Sequence, residues 1–193
     1  MAPEVTPREL IADLFVTLEG FAAGEGVGPY FGYAGPELEN WIRRHLDRPQ
    51  VVVMGRVTYE ALSRYAVSET DAGSKRLAGL PKLVFSNTLR EPLAWSNTNL
   101  IKGDVADAIR TLKHQAGPPL RSIGSITLVK TMMQLGLVDR LRLTIFPLVL
   151  GSAGREPIFA GYPETRFELI DSKVLDSRLI VLEYRPLIHP AAR

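Results

Sequence analysis

The order of segments along the 193-residue chain predicts a three-layer α/β/α domain around a central mixed, mostly parallel sheet. Three observations carry this. Short, almost wholly apolar runs at 50–54 (QVVVM) and 82–85 (KLVF) have the composition of strands buried on both faces, where parallel strands sit. Such runs alternate with stretches of helical periodicity as far as Gly136. Beyond that point strand patterns follow one another, and Asp176-Ser177 reads as the turn of a closing hairpin, so the sheet should end in antiparallel strands.

Each element has its own reason. Residues 10–17 (LIADLFVT) are apolar and β-rich apart from Asp13, and the turn-prone Glu19-Gly20 closes them, which marks a buried strand whose end meets a site. Residues 22–36 hold five glycines, two prolines and the aromatics Tyr30, Phe31 and Tyr33; a loop of this length with that aromatic content reads as a lid. Residues 36–46 read as a helix, with Pro36 in the first turn, Glu37 and Glu39 at the positive end of the dipole, and Leu38, Trp41, Ile42 and His45 on one stripe. After the strand at 50–54 come Gly55-Arg56, a helix at about 58–65, a polar stretch through Lys75 and the strand at 82–85. The pattern repeats with a strand at 99–102, a helix capped by Asp104, a strand at 120–123 and a helix from Ser125 to Leu135 that Gly136 ends. Strands at 139–146, 167–175 and 178–184 complete a single domain over 9–186, flanked by tails at 1–8 and 187–193.

Composition narrows the function classes. With 23 Lys plus Arg against 21 Asp plus Glu the formal charge is +2, and the arginines are interleaved with acids, so no nucleic-acid face is expected. The absence of cysteine removes thiol nucleophiles, CxxC redox pairs and thiolate metal sites. No metal site is expected. The longest uncharged run, 143–154, is far below the roughly 20 residues a membrane span needs, and the N-terminus lacks the basic head and apolar stretch of a secretory signal. The expectation is a cytoplasmic protein with a small-molecule substrate. GxSxG, Walker A and HExxH motifs are absent, and His45, His114 and His189 lie far apart. Gly24, Gly26 and Gly28 begin like a dinucleotide fingerprint, but Pro29 breaks the spacing and no helix follows promptly.

Three segments share one construction, an apolar strand running into small or hydroxylated residues that open a helix or turn: 51–60 (VVVMGRVTYE), 83–88 (LVFSNT) and 122–132 (SIGSITLVKTM). In an open α/β sheet ligands sit at the carboxyl ends of strands, where helix N-termini offer free N–H groups to phosphate. Three such ends suggest a phosphorylated cofactor. Gly55 allows close approach to a pyrophosphate or simply makes a turn; Arg56 is a forked cation or a surface charge; Thr58 adds a hydroxyl. Likewise Gly124 permits close approach or tight helix packing, and Ser125 is an N-cap.

The blocks LFVTLEGFAA (14–23), VVVMGRVTYE (51–60), PKLVFSNTL (81–89) and SIGSITLVKTMMQLGLVDRLRLTIFPLVLGSAG (122–154), followed by IF (158–159), resemble the dihydrofolate-reductase-like family that includes the C-terminal reductase domain of the bifunctional riboflavin-biosynthesis deaminase/reductase. The resemblance spans about 9–185, and its last block is the most specific. It implies the dihydrofolate reductase fold, NADPH as cofactor and a homodimer, in an enzyme that reduces a small heterocyclic or carbonyl compound such as 5-amino-6-(5-phosphoribosylamino)uracil. By position, Gly55, Arg56 and Thr58 would follow the cofactor phosphates, Ser86, Asn87 and Thr88 would surround the adenosine 2′-phosphate, and Ile123, Gly124, Ser125, Ile126 and Thr127 would line nicotinamide and pyrophosphate. Leu18, Glu19 and Gly20 would meet nicotinamide and substrate, with Glu19 as the expected catalytic carboxylate. The usual Leu-Asp-Gly of the family is Leu18-Glu19-Gly20 here, one methylene longer in the acid. Dihydrofolate reduction, with Glu37 or Glu39 as the acid on the first helix, and a non-catalytic nucleotide-binding protein of the same fold are the alternatives.

Overall fold

The computed structural model describes residues 7–68, 72–162 and 164–187. Its strands are β1 (Leu10–Thr17), β2 (Phe21–Gly24), β3 (Val51–Gly55), β4 (Lys82–Phe85), β5 (Thr98–Ile101), β6 (Leu120–Ile123), β7 (Arg140–Phe146), β8 (Gly154–Pro157), β9 (Arg166–Leu175) and β10 (Leu179–Leu187). Its helices are α1 (Pro36–Leu46), α2 (Arg56–Ser68), α3 (Ala72–Gly79), α4 (Val105–Lys113) and α5 (Ile126–Gln134). Eight strands form one sheet in the order β5-β4-β3-β6-β1-β7-β10-β9, parallel from β5 to β7 and antiparallel for β10 and β9. The mixed, mostly parallel sheet and its closing hairpin are as the sequence predicts.

Strand alternation decides which face each side chain enters. In β3, Val51 and Val53 join Leu10, Ala12, Leu14 and Val16 of β1 against Ile109 of α4 and Val129 and Met132 of α5. Val52 and Met54 point the other way, to Tyr59 of α2 and Leu77 of α3. On that same face Leu38 and Trp41 of α1 pack on Phe146, Leu179 and Val181. The helices therefore cover both faces of the sheet, and each fully buried Leu or Met contributes roughly 1.5–3 kcal/mol.

Asp13, the acid inside β1, is buried beneath α1 and accepts hydrogen bonds from Nε of Arg121 at 2.9 Å and from Arg142 at 3.4 Å. Arg142 also donates to Glu183, which Arg140 binds at 2.7 Å. Burial pushes the Glu183 carboxyl up, but the hydrogen bonds and charges of Arg140 and Arg142 outweigh it and hold it below the usual range. The Arg-Leu-Arg-Leu alternation of β7 thus puts cations on one face and core leucines on the other.

Four differences from the sequence reading have local causes. Residues 21–24 are a strand, β2, paired with β8 from the far side of the chain, so the glycine-rich loop begins later than expected. Helix α2 starts at Arg56 directly from β3, and the polar stretch before residue 82 contains α3. The C-terminal end of α3 is held by Lys82, whose ammonium is fully buried, donates to the carbonyls of Leu77, Ala78 and Leu80 at 2.7–3.1 Å and lies 4.6 Å from the Trp95 ring centroid. Burial pulls its pKa down to about 8. Of the expected tails, 1–6 and 188–193 lie outside the described residues, whereas Arg8 is docked, its N–H on the Lys113 carbonyl at 2.7 Å and its Nε on Pro118.

Helix α1 has no cap of its own because Gly35 precedes it. The hairpin turn supplies one. The Asp176 carboxylate accepts the N–H groups of Glu37 and Leu38, each at 3.0 Å, and the Glu37 carboxylate accepts the Asp176 N–H in return. A Cβ on Gly35 would lie 2.3 Å from Asp176 Oδ2, so this approach requires glycine.

Candidate functional site

Because β4, β3, β6 and β1 are adjacent and parallel, their carboxyl ends form one edge. The expected site residues fall along it in that order: Ser86–Thr88 after β4, Gly55–Thr58 from the last residue of β3, Ile123–Thr127 from the last residue of β6 and Leu18–Gly20 after β1. Four stretches, the outermost in sequence separated by more than 100 residues, thus meet in one row.

At its centre Ser125 occupies the N-cap position of α5 with a left-handed backbone, φ 62°, and makes no side-chain cap bond to that helix. This corrects the simple N-cap reading. Its Oγ instead accepts the Gly55 N–H at 2.9 Å, tying the end of β3 to the end of β6. The first-turn amides of α5 are left without a side-chain cap, a ready donor set for an anion. Gly124 has φ 58°, a backbone geometry that favours glycine, and a Cβ there would make ordinary contact with Thr58 at 3.7 Å. Ile123 packs with the Val52 and Met54 cluster behind this turn, and Ile126 with the opposite core. Thr127 accepts the hydroxyl of Thr131 on its carbonyl at 3.1 Å and is exposed in the row's outer wall.

Arg56 is exposed and shares both NH1 bonds with Glu60 at 3.0 Å, an i,i+4 pair that a stronger anion could replace. One strand further out, Ser86 Oγ accepts the N–H groups of Thr88 and Leu89 at 3.2 and 3.1 Å, and Asn87 Oδ1 accepts that of Gly103 at 2.8 Å. These bonds fix a turn whose hydroxyl and amide groups border the row. A phosphorylated dinucleotide fits this arrangement: uncapped amides and glycines at the centre, a cation beside them and a hydroxyl-rich turn at one end.

At the β1 end Leu18 is 61% exposed, Gly20 turns at φ 83° and Ile158 donates its N–H to the Gly20 carbonyl. The Glu19 carboxylate accepts the N–H groups of Leu150 and Gly151 at 2.8–3.0 Å. It therefore fixes the segment after β7 beside its own turn, a role its position in the sequence did not reveal. Val149, 66% exposed, stands in that segment, and the Leu18 N–H reaches the Leu148 carbonyl at 3.1 Å. Tyr30 lies 5.5 Å from Phe15 between ring centroids, while Phe31 and Tyr33 pack on Phe146, so the aromatics of the glycine-rich loop rest on the ends of β1 and β7. Glu37 and Glu39 are exposed on α1, and the side chains that α1 sends to the sheet are Leu38 and Trp41. Among the described residues no group of histidine and acidic side chains could hold a metal ion, and no helix is long and apolar enough to cross a membrane.

The model of the RibD C-terminal domain matches residues 8–181. The uncharacterized protein YyaP of Bacillus subtilis is 24% identical over 190 residues, 95% of this chain and 98% of that protein. A putative riboflavin biosynthesis protein of Shewanella sp. PV-4 superposes with a TM-score of 0.69 at 22% identity, covering 93% of this chain and 99% of that one. The Enterococcus faecalis dihydrofolate reductase complexed with NADP(H) gives 0.62 at 14%, with 92% and 96% covered. The Thermotoga maritima diaminohydroxyphosphoribosylaminopyrimidine deaminase/5-amino-6-(5-phosphoribosylamino)uracil reductase gives 0.65 at 15%, covering 94% of this chain and 57% of that longer one. The dihydrofolate-reductase-like fold expected from the sequence is thus the fold of this chain.

Proposed function

The chain belongs to the RibD C-terminal domain family, and from that premise we propose that it is an NADPH-dependent reductase of a small heterocyclic or carbonyl substrate. The observation that carries this reading is the Ser125–Gly55 bond, which joins two strand ends and leaves the α5 amides facing the same edge as Arg56 and Thr58. NADPH, when bound, supplies the hydride.

The chain's own groups bind and orient. The α5 amides and Gly124 take the pyrophosphate, Arg56 and Thr58 add a cation and a hydroxyl, and Ser86, Asn87 and Thr88 face the adenosine 2′-phosphate. Ile123, Ser125, Ile126 and Thr127 form the wall behind nicotinamide and pyrophosphate. Leu18 and Gly20 present the substrate, while Glu19 sets the β1 turn and orients polar substrate groups. The exposed apolar side chains of Leu18 and Val149 offer a surface for the substrate ring.

We place the enzyme in the cytoplasm as a homodimer. The dimer is supported by β9, ten residues at the sheet's edge with Leu169 and Val174 more than half exposed, a surface suited to a second copy. Titration with NADPH, followed by stopped-flow loss of its absorbance against a panel of pyrimidines, pterins and carbonyl compounds, tests the reading. Failure to bind NADPH ends it.

A further inference from the structure

The row of strand ends divides into two electrostatically different halves. The half at β4, β3 and the start of α5 holds Arg56 and the uncapped amides. The half at β1 and β7 is built from the turn at Leu18–Gly20, β2, the loop carrying Tyr30, and the segment from Pro147 through β8 to Tyr162. Between Arg8 and Arg43 the chain contains no Lys, Arg or His, and between Arg142 and Arg166 its sole cation is Arg155. Glu19, Glu25 and Glu156 lie on these same stretches.

Arg155 is already engaged. It donates to the carbonyls of Ser152 and Gly154 at 2.8 Å and to the carboxylate of Glu25. Lys130, which reaches this half from α5, donates to the Ala160 carbonyl at 2.9 Å. The uncovered large side chains here are apolar or aromatic: Leu18, Val149, Phe159 and Tyr30, each 44–66% exposed. A phosphate monoester carries close to two negative charges at neutral pH and is held in proteins by arginine or lysine forks or by helix amides. On this half acids outnumber cations, and the uncapped amides of α5 belong to the other half.

We infer that this enzyme reduces an uncharged or cationic planar compound without a phosphate ester, held against the exposed apolar side chains of Leu18 and Val149, and that it does not recognise the 5-phosphate of a phosphoribosylamino-pyrimidine. This rests on the proposed reductase reading and deepens it. With Arg155 and Glu25 paired to each other, the Glu19 carboxylate sets the local field, which repels a dianion and favours N–H and O–H donors of a neutral ring.

The test uses the full chain saturated with NADP+, so that the cofactor's own phosphate subsites are filled. Ribose 5-phosphate is titrated into it by calorimetry. In parallel, steady-state kinetics with NADPH compare two substrates, the phosphorylated pyrimidine 5-amino-6-(5-phosphoribosylamino)uracil and its dephosphorylated counterpart. The expected result is no saturable binding of ribose 5-phosphate at millimolar concentration and no advantage of the phosphorylated pyrimidine. Binding of ribose 5-phosphate tighter than about 1 mM, or a preference for the phosphorylated pyrimidine of about tenfold or more, overturns the inference. The two readings fail separately: a protein that does not take up NADP+ at all refutes the reductase reading, whereas one that binds NADP+ and also ribose 5-phosphate refutes only the substrate class.

Discussion

The hydroxyl of Ser125 accepts the backbone N–H of Gly55 at 2.9 Å across 70 residues of sequence, and this bond holds the end of β3 against the start of α5. Removing it frees one amide and loosens the two strand ends. Ser125→Ala should cost about 1 kcal/mol of stability, the usual worth of such a bond, and should weaken NADPH binding as well. Gly124→Val should abolish cofactor binding, because φ 58° is hostile to a β-branched residue and the new side chain would enter the row beside Thr58. Thermal melts with and without NADPH separate the two effects; a folded Gly124→Val protein that binds normally would show the site to be elsewhere.

Arg56 pairs with Glu60, and both side chains are solvent-exposed. That pair adds little stability. Arg56→Ala should leave the ligand-free melting temperature nearly unchanged while weakening NADPH binding by roughly 1.5–3 kcal/mol, the range for a hydrogen bond to a charged group. NADPH should also be preferred to NADH, since the Ser86–Thr88 turn has hydroxyl and amide groups for the extra phosphate. Calorimetric titration of both cofactors into both proteins checks this, and equal affinity for the two would contradict the assignment of that turn.

His45 stacks on Trp41 at 4.0 Å and its Nδ1 meets the Trp41 carbonyl at 2.8 Å. Burial, then the charges of Arg142 and Arg121, pull its pKa from 6.5 to about 4 against that hydrogen bond and the opposing charge of Asp13. Between those two pH values the unfolded chain binds a proton that the folded chain does not. Stability should therefore fall as pH drops through that window and be fully present above it. Urea midpoints across the window should show this loss in the wild type and a smaller one in His45→Gln, where the imidazole is gone; an identical slope in both would assign the effect to other groups.

In the sheet's edge hairpin Val174 faces Ile180 across the β9–β10 ladder, and both are exposed, at 61% and 43%. If a second copy covers them, light scattering should give twice the 21.3 kDa chain mass. Val174→Lys should then shift the protein to monomer with little change in the fold, since β-edge lysines are tolerated in solvent. A monomeric wild type at micromolar concentration would remove the dimer.

What could be read in advance divides along physical lines. The buried runs at β3 and β4 and the periodicity of α1, α4 and α5 were legible because a strand or helix between two layers must show its burial pattern locally. The pairing of β2 with β8 was not, because the four residues of β2 (FAAG) have no alternation of their own and their partner lies some 130 residues away. At the site, the glycines and hydroxyls after each strand marked where a ligand could sit, but Ser125 looked like an ordinary cap, because its left-handed backbone depends on Gly124 and β6 rather than on its own residue type. Asp13 and the arginines of β7 were visible as isolated charges, yet their pairing depends on strand order, which no local pattern states.

The placement of Glu19 and of the two glutamates of α1 predicts what the proposed reductase would reduce. Efficient dihydrofolate reduction needs a carboxylate fixed in the pocket against the pterin ring. Helix α1 turns Leu38 and Trp41 to the sheet and leaves Glu37 and Glu39 exposed, with Glu37 committed to the Asp176 N–H. Neither is placed to serve a pterin. Glu19 stands at the end of β1 with its carboxylate on the amides of Leu150 and Gly151, so its charge both sets the turn after β1 and lies within the apolar half of the row. Glu19→Gln keeps an oxygen that can accept both of those amides, as Oε1 does, but removes the charge, and should lower kcat more than it weakens NADPH binding. Glu39→Gln should change neither, and Glu37→Gln should cost only a little stability through the hairpin. Dihydrofolate should be a poor substrate for all of them. Steady-state kinetics on the three variants, with NADPH binding measured alongside, gives the answer: a large loss of turnover confined to Glu37→Gln or Glu39→Gln would restore the folate reading and displace Glu19.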